Sequence, residues 1–426
     1  MTTNIYVKSF GCSANFADGE TMRGLLKEAD FNIVDNIEDA FIVILNICTV
    51  KGDDNALKEI QQVRESNEYK KIIVAGCIPK HAVEDIKKID ANIALINTHN
   101  IRKIVSVVEE LLNENPTTIL ASNKKPKINL PKLRKNPTIG IVQIASGCVG
   151  RCAYCSVKLI KGNLISYPID SIIEEVRTCV RDRCKEIWIT AQDTGCYGTD
   201  IGTNIVELLK KVIEIRGDFT IRLGMANPQS ILQNLEELIK VFKHEKMFKF
   251  LHIPVQSGNN KVLKSMNRPY EIEDFTHIVK RFREEIPEIN IATDMIVGFP
   301  GETEEQFRDS LLLMDQIKPD IVNISRFVAR PGTRAEKREK QIHGRDIKER
   351  SRTMSSRFEW ISFAQNRKWK NWEGEILVDE NGKDGTFIGR NCSYKPVIVE
   401  GDFVLGQKIK VKITNTTKFN LRGTRV

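Results

Sequence analysis

The sequence predicts an α/β protein in three parts: an N-terminal open parallel α/β sheet, a central partial barrel of six β/α units, and a small C-terminal antiparallel β-barrel. Three observations predict it. Short Ile- and Val-rich runs alternate with amphipathic stretches up to about Leu112; a proline-rich basic stretch breaks the alternation; and the alternation then resumes before giving way to short strands and turns. A chain of 426 residues is too long for one ordinary core and calls for two or three domains. The expected boundaries are 1–116, a linker at 117–137, 138–362 and 363–426.

In the first part, Asn4–Val7, Phe41–Leu45 and Ile72–Ala75 read as buried strands, and Met22, Leu25, Leu26 and Ala29 fall on one helix face. Strand, helix, strand in that order implies a parallel sheet with crossover helices. Asn113 to Pro137 carries Pro116, Pro126, Pro131 and Pro137, with six basic residues from Lys124 to Lys135 and no acid among them. Proline forbids a continuous helix and the charges oppose burial, so the stretch is expected to be a solvated spacer or a strap on phosphates. Six strands are then expected, at Ile139–Ala145, Glu186–Thr190, Thr220–Leu223, Phe248–Ile253, Asn290–Val297 and Ile321–Ile324. Helices are expected between them at Ile169–Arg183, Asn204–Ile215, Ile231–Phe242, Glu271–Glu285 and Glu304–Ile317. Arg334–Arg357 reads as an exposed helix. After Phe363 short strands follow at Glu375–Val378, Thr386–Gly389, Val397–Val399 and Lys408–Ile413, with Asn381-Gly382 and Gly401-Asp402 as turns.

The chain is 41% hydrophobic and 28% charged, a globular balance that excludes collagen-like and wholly disordered classes. Its longest uncharged apolar run, Ala40 to Val50, falls short of the roughly 18 residues of a membrane span. With no basic-then-apolar leader at Met1-Thr2-Thr3-Asn4, a cytoplasmic protein without membrane contact is expected. Lys and Arg exceed Asp and Glu by 65 − 56 = 9, and from Arg367 onward twelve basic residues face seven acidic ones. That surplus permits a polyanionic partner. Ten cysteines are too dilute for a disulfide scaffold and point to metal or redox chemistry.

The strongest motif is Cys148-Val149-Gly150-Arg151-Cys152-Ala153-Tyr154-Cys155, directly after an expected strand. Three thiolates in one loop hold three irons of a [4Fe–4S] cluster and leave the fourth open to a ligand. Zinc is the rival, but a structural zinc site wants four protein ligands and no fourth Cys or His lies nearby in sequence. Cys12, Cys48 and Cys77 each follow a different strand of the first part. On a parallel sheet they share one carboxyl edge, either as joint ligands or as three independent core cysteines.

The first of these motifs, at the end of the first strand of a partial barrel, resembles the radical S-adenosylmethionine superfamily. The resemblance implies an open iron that binds S-adenosylmethionine and an electron transfer that cleaves its sulfonium to a 5′-deoxyadenosyl radical. Phe10-Gly11-Cys12-Ser13-Ala14-Asn15, Asn46-Ile47-Cys48-Thr49-Val50 and Gly76-Cys77 resemble the three cysteine motifs of the methylthiotransferases. So do Gly298-Phe299-Pro300-Gly301-Glu302-Thr303, Arg330-Pro331-Gly332-Thr333 and the terminal barrel, which is like a TRAM domain. Gly162-Asn163-Leu164-Ile165-Ser166-Tyr167-Pro168, Asp193-Thr194-Gly195-Cys196-Tyr197-Gly198, Arg222-Leu223-Gly224-Met225 and Leu251-His252-Ile253-Pro254-Val255-Gln256-Ser257 are similar to the archaeal and eukaryotic threonylcarbamoyladenosine tRNA methylthiotransferases. Lys161 stands where that family usually has Arg, and Gln192 where eukaryotic members tend to have Glu.

The resemblance covers essentially the whole chain. It implies a radical S-adenosylmethionine [4Fe–4S] cluster on Cys148, Cys152 and Cys155 and an auxiliary [4Fe–4S] cluster on Cys12, Cys48 and Cys77. One S-adenosylmethionine would methylate a sulfur at the auxiliary cluster, and a second would activate C2 of the modified adenosine at position 37 of tRNA. Tyr154 resembles the aromatic residue beside the adenine, with packing as its other role; Gln192 and Asp193 after the second strand and Arg222 at the end of the third are placed for carboxylate and ribose contacts, or else form a turn-capping pair and a solvated edge charge. The resemblance implies a small electron-transfer protein as reductant and the tRNA anticodon stem-loop as partner. Lys408, Lys410 and Lys412 alternate along one strand, so they share a face; that pattern blunts a sheet edge or contacts phosphates, and the resemblance favours RNA. His252 reads as a hydrogen-bonded core residue, and Cys179, Cys184, Cys196 and Cys392 as packing, with Cys196 set apart because it falls near the barrel mouth. The alternatives are the same chemistry on isopentenyladenosine or on a ribosomal-protein aspartate, or a non-catalytic tRNA-binding or iron–sulfur carrier protein.

Overall fold

Period-two burial builds the first sheet. Ile5, Val7, Ile42, Ile44, Ile73 and Ala75 pack on one face, and Val43, Leu45, Ile47, Ile72 and Val74 on the other. The computed structural model describes residues 2–49, 53–67, 69–123 and 125–426; Met1, Val50 and Lys124, named above, lie outside them. The sheet is parallel, in the order Asn32–Val34, Asn4–Ser9, Ile42–Ile47, Lys71–Gly76, Ala94–Asn97, Thr118–Ile119. Three strands of this sheet, the outermost two and Ala94–Asn97, were not expected, being too short to show a period.

The linker differs from both expectations. Three of its six basic residues are buried or paired inside the molecule, Lys127 with Asp18 at 2.5 Å, Lys132 with Glu175 at 2.5 Å and Arg134 with Asp182 at 2.5 Å, while Lys125 and Lys135 are exposed. It lies between the helix Ser13–Glu28 and the barrel, with the Leu133 N–H donating to the Glu20 carbonyl. Carboxylates from distant segments supply the countercharge that the linker itself lacks, so at those three residues it is neither a solvated spacer nor a phosphate strap.

Six parallel strands follow in sequence order: Ile139–Gln143, Glu186–Thr190, Thr220–Leu223, then Phe250–His252, Asn290–Val297, Ile321–Arg326. They form two three-stranded arcs joined by a bridge from Ile221 to Met247 and by the Ala226 N–H on the His252 carbonyl. Amphipathic helices cover the outside, the one at Glu304–Ile317 opening on a Thr303/Gln306 capping box. The long exposed helix runs Gly344–Arg367, not Arg334–Arg357. The Gly332 N–H on Glu336, and the Gln341 side chain on the carbonyls of Ala335 and Arg338, tie residues 332–341 into turns, and the His343 ring caps the helix start.

The C-terminal strands close a five-stranded barrel, in which Leu421–Arg425 is a strand not read from sequence. This barrel docks at the amino ends of the central strands. The Cys392 carbonyl accepts from the Lys249 N–H, Lys395 pairs with Asp320 at 2.9 Å, and the Tyr394 ring lies 4.9 Å from Phe248 and 5.1 Å from Phe250.

The joint buries Glu186 near Asp379, and Glu186 Oε2 and Asp379 Oδ1 are buried without a hydrogen-bond partner. Burial first, then the Asp379 charge, push the Glu186 carboxyl from 4.5 up to about 7. A raised acid contributes stability that is present below its unfolded value and lost as pH rises through its folded one. Stability should therefore fall between pH 4.5 and about 7. Glu186→Gln should flatten that slope and raise stability above pH 7 by on the order of 2 kcal/mol, read from urea midpoints across pH. An unchanged slope in the variant would refute the assignment.

Candidate active site

The three N-terminal cysteines stand where parallel pairing puts them. Asn4–Ser9, Ile42–Ile47 and Lys71–Gly76 are neighbours, so Cys12, Cys48 and Cys77 follow three adjacent strands at one carboxyl edge. Glycines permit the approach. Gly11 has φ +145°, and a Cβ there would lie 2.7 Å from Cys48 Sγ; Gly76 has φ +97°, and a Cβ there would meet the Ile47 carbonyl at 2.5 Å. Cys12 is exposed at the rim while Cys48 and Cys77 are buried, and the neighbouring Cys48 thiol, then desolvation of the sulfur, push the Cys12 thiol up.

Beside them lies a buried polar network. Asp18 accepts from Lys127, from Thr98 Oγ1 at 2.6 Å and from Gln143 Nε2 at 2.8 Å, with Lys161 Nζ 3.8 Å away. Lys161, in the family's Arg position, donates to Thr98 Oγ1 at 2.6 Å. Burial works to lower its pKa, yet Cys77, Asp18 and Cys12 outweigh it and hold it raised. Two buried ammonium groups thus face one carboxylate, and the unbalanced positive charge faces the thiols.

The barrel cysteines sit on the loop after the first strand. The Gly150 N–H donates to Cys148 Sγ at 3.2 Å, and a Cβ at Gly150 would lie 3.2 Å from Cys148 Sγ and 3.8 Å from Cys152 Sγ, so both sulfurs converge there. Arg268 Nη1 donates to Cys152 Sγ at 3.3 Å, its fork held by Asn227 Oδ1 at 2.6 Å and the Pro254 carbonyl at 3.0 Å. Sequence reasoning missed Arg268; a charged residue between Met266 and Tyr270, both buried, was the available signal. Cys196, expected to pack, lies in the site: its thiol donates to the Asp193 carbonyl at 3.2 Å, and its place beside Cys148 is the largest cause of a Cys148 thiol lowered to about 7. Among the described residues, no three His, Cys, Asp or Glu side chains close on one ion-sized point, which a mononuclear zinc site requires. Three thiols, with an N–H and a guanidinium aimed at their sulfurs and no side chain at Gly150 to fill the space between, fit an iron–sulfur cluster.

The two cysteine groups face each other. Thr49, next to Cys48, shares a hydroxyl hydrogen bond of 3.2 Å with Ser156, next to Cys155. Arg330 clamps the pair, donating to the Thr49 carbonyl and, at 3.2 Å, to Ser156 Oγ. The Arg-Pro-Gly-Thr motif thereby acquires a contact that its sequence did not disclose.

The remaining residues separate. Gln192 Oε1 accepts from the Gly147 N–H at 2.7 Å and so sets the start of the cysteine loop. Asp193 is fully buried, with its oxygens accepting from Gly195, Asn227 and Ser230. Tyr154 packs beside the Phe299–Phe327 cluster. Arg222 lies apart from the cysteines, its guanidinium 5.0 to 5.1 Å from the rings of Trp188, Phe250 and Tyr394. His252 pairs with Asp294 at 2.9 Å. Lys408, Lys410 and Lys412 lie on the outer face of the small barrel, but Lys408 pairs with Asp218 at 2.6 Å and Lys412 with Glu373 at 2.7 Å.

A partial parallel barrel carrying a three-cysteine loop at its carboxyl end defines a radical S-adenosylmethionine enzyme, and the model of the radical SAM superfamily matches residues 142–314. An uncharacterized protein family, UPF0004, matches 4–98, and the TRAM domain matches 372–426. A probable threonylcarbamoyladenosine tRNA methylthiotransferase of Pyrococcus horikoshii is 42% identical over 93% of both chains. The human threonylcarbamoyladenosine tRNA methylthiotransferase is 37% identical over 99% of this chain and 74% of its own. The chain belongs to the threonylcarbamoyladenosine tRNA methylthiotransferase family, whose members are transferases using S-adenosylmethionine and [4Fe–4S] clusters. Among solved structures, the radical S-adenosylmethionine methyltransferase TsrM of Kitasatospora setae shares the fold at 12% identity, with a TM-score of 0.56 over 79% of this chain and 77% of its own. The described residues include no helix long and apolar enough to cross a membrane.

Proposed function

We propose that this protein converts N6-threonylcarbamoyladenosine at position 37 of tRNA to its 2-methylthio derivative. Cys148, Cys152 and Cys155 hold the radical S-adenosylmethionine cluster, and Cys12, Cys48 and Cys77 the auxiliary one. The observation that carries the reading is the Thr49–Ser156 contact, which sets two three-thiol groups on facing loops. One site for sulfur and one for radical generation must lie together if the group is to pass between them. When bound, the barrel cluster supplies the electron that cleaves S-adenosylmethionine to a carbon-centred radical able to activate an aromatic C–H.

The chain's own residues position these parts. Gly150 and Arg268 donate to the thiolates of Cys148 and Cys152. Gln192 fixes the entry to their loop, Asp193 braces the turn that carries Cys196, and Tyr154 walls the cofactor side against Phe299 and Phe327. Lys161 offsets negative charge at the auxiliary site. The division at 1–116, 117–137, 138–362 and 363–426 assigns sulfur chemistry, connection, radical chemistry and RNA contact to successive parts. The anticodon stem-loop as the RNA element, a small electron-transfer protein as reductant, and a cytoplasmic location belong to the same reading.

Mass spectrometry of nucleosides from tRNA incubated with anaerobically reconstituted protein tests it. Methylthio incorporation into threonylcarbamoyladenosine is expected. Modification of isopentenyladenosine instead would overturn the substrate, and no cleavage of S-adenosylmethionine would point to a carrier.

A further inference from the structure

The helix Gly344–Arg367 flanks the open side of the central barrel, beside the edge strand Ile321–Arg326. Its inward face packs Ile347, Met354 and Ile361. Its outward face is unusual for a charged surface helix. Trp360 is 76% exposed and Phe363 37% exposed, although burying either would remove a large apolar area from water. Positions 352, 356, 360, 363 and 367 follow the helical period, so the two rings share a stripe with the exposed Arg352 and Arg367.

The small barrel extends that stripe. Ser362 Oγ donates to the Lys418 carbonyl at 2.6 Å and Asn366 Nδ2 to the Thr417 carbonyl at 2.9 Å, fixing the 417–420 turn against the helix. Phe419, on that turn, is 66% exposed; Lys418 Nζ lies 5.1 Å from its ring and pairs with Glu359 of the helix at 2.8 Å, so its charge is committed and, among the described residues, the free cations of this face are the arginines. Phe419 and Ser362 also rim a cavity of about 260 Å³ whose inner wall includes His252 and Asn323 of the barrel strands. Exposed rings beside guanidinium groups are what unpaired bases on a phosphate chain require: a π-face for a base and a cation for a phosphate.

We propose that this face, Trp360, Phe363 and Phe419 with Arg352 and Arg367, is the surface that grips single-stranded loop nucleotides of the tRNA, with Trp360 stacking on an unpaired base. The inference rests on the tRNA reading above and gives it a location distinct from Lys408 and Lys412, whose charges are committed to Asp218 and Glu373. An acidic protein is the competing occupant. Charge would suit it, but exposed rings beside guanidinium groups suit bases better.

The experiment is titration of the reconstituted protein with unmodified tRNA, read by tryptophan fluorescence and by filter binding. Of four tryptophans only Trp360 is exposed, so the difference between wild type and Trp360→Phe isolates its signal. Binding should quench Trp360. Trp360→Ala should weaken binding about tenfold or more with an unchanged salt slope, and Trp360→Phe should restore most of it. Arg352→Gln and Arg367→Gln should each reduce the salt slope by about one. Tight tRNA binding with Trp360 unquenched, or with Trp360→Ala binding as wild type, overturns the surface while leaving the enzyme reading intact. Quenching by an acidic protein but not by tRNA also overturns it. Failure of the wild type to bind tRNA at all overturns both.

Discussion

Asp18→Asn should destabilise the fold by about 3–5 kcal/mol, the cost of removing one partner from a buried ion pair. The carboxylate is 1% exposed and answers two ammonium groups, Lys127 at 2.5 Å and Lys161 at 3.8 Å, as well as the Thr98 hydroxyl and the Gln143 amide. Asparagine keeps the shape and one acceptor but leaves two cations with no carboxylate. Burial already works against Lys127, lowering it to about 8, so its ammonium in the variant sheds its proton or draws in water. Lys127→Met in the same chain should recover part of the loss, because an apolar group of similar length removes the stranded charge. The pH dependence follows from the same geometry. Burial alone would raise the Asp18 carboxyl, but the two lysines outweigh it and hold it below its ordinary value. Its contribution is therefore full at neutral pH and is lost as pH falls through that depressed value, and the variant should lack this acid limb. Chemical denaturation of both variants across pH decides the matter. A loss below about 1 kcal/mol for Asp18→Asn would mean that the network is not the joint between linker, sheet and barrel.

The Asp18 network also shows where sequence reading stopped. Lys127 and Asp18 are 109 residues apart, and Arg268 and Cys152 are 116 apart. Such pairings are made by tertiary structure, so the linker's six positive charges looked unburiable from within. The strands that carry the cysteines were legible because β-branched alternation is local and because parallel pairing puts every following loop on one edge. Cys148, Cys152 and Cys155 were legible for the same reason: their spacing is itself the motif. Cys196 was not. Its place against Cys148 depends on the turn that Asp193 holds, which no spacing encodes. The helix Gly344–Arg367 was shifted by about ten residues in the sequence reading because charge alone marked it, and charge does not distinguish a helix from the turns before it.

The largest effect on activity is expected at Cys148. Cys148→Ala should abolish 5′-deoxyadenosine formation and lower reconstituted iron from about eight to about four per chain, since one three-thiol site is lost and the other remains. Cys12→Ala should lower iron by the same amount but leave S-adenosylmethionine cleavage measurable, while methylthio transfer falls to background. The contrast between the variants is what matters, because two structural clusters would give equal iron losses with no split in chemistry. Cys196 complicates the first variant. Its thiol lies beside Cys148, donating to the Asp193 carbonyl at 3.2 Å, so a substituted loop keeps a sulfur near the vacated position. Cys148→Ala that still holds eight irons while Cys148→Ala/Cys196→Ala holds four would mean that Cys196 enters as a substitute ligand. Eight irons with full cleavage of S-adenosylmethionine in the double variant would remove the barrel site from this loop altogether. Arg268→Met separates ligation from tuning: it leaves the three thiols in place but takes away the guanidinium on Cys152 Sγ, so iron content should hold while the reduction potential of the barrel cluster falls.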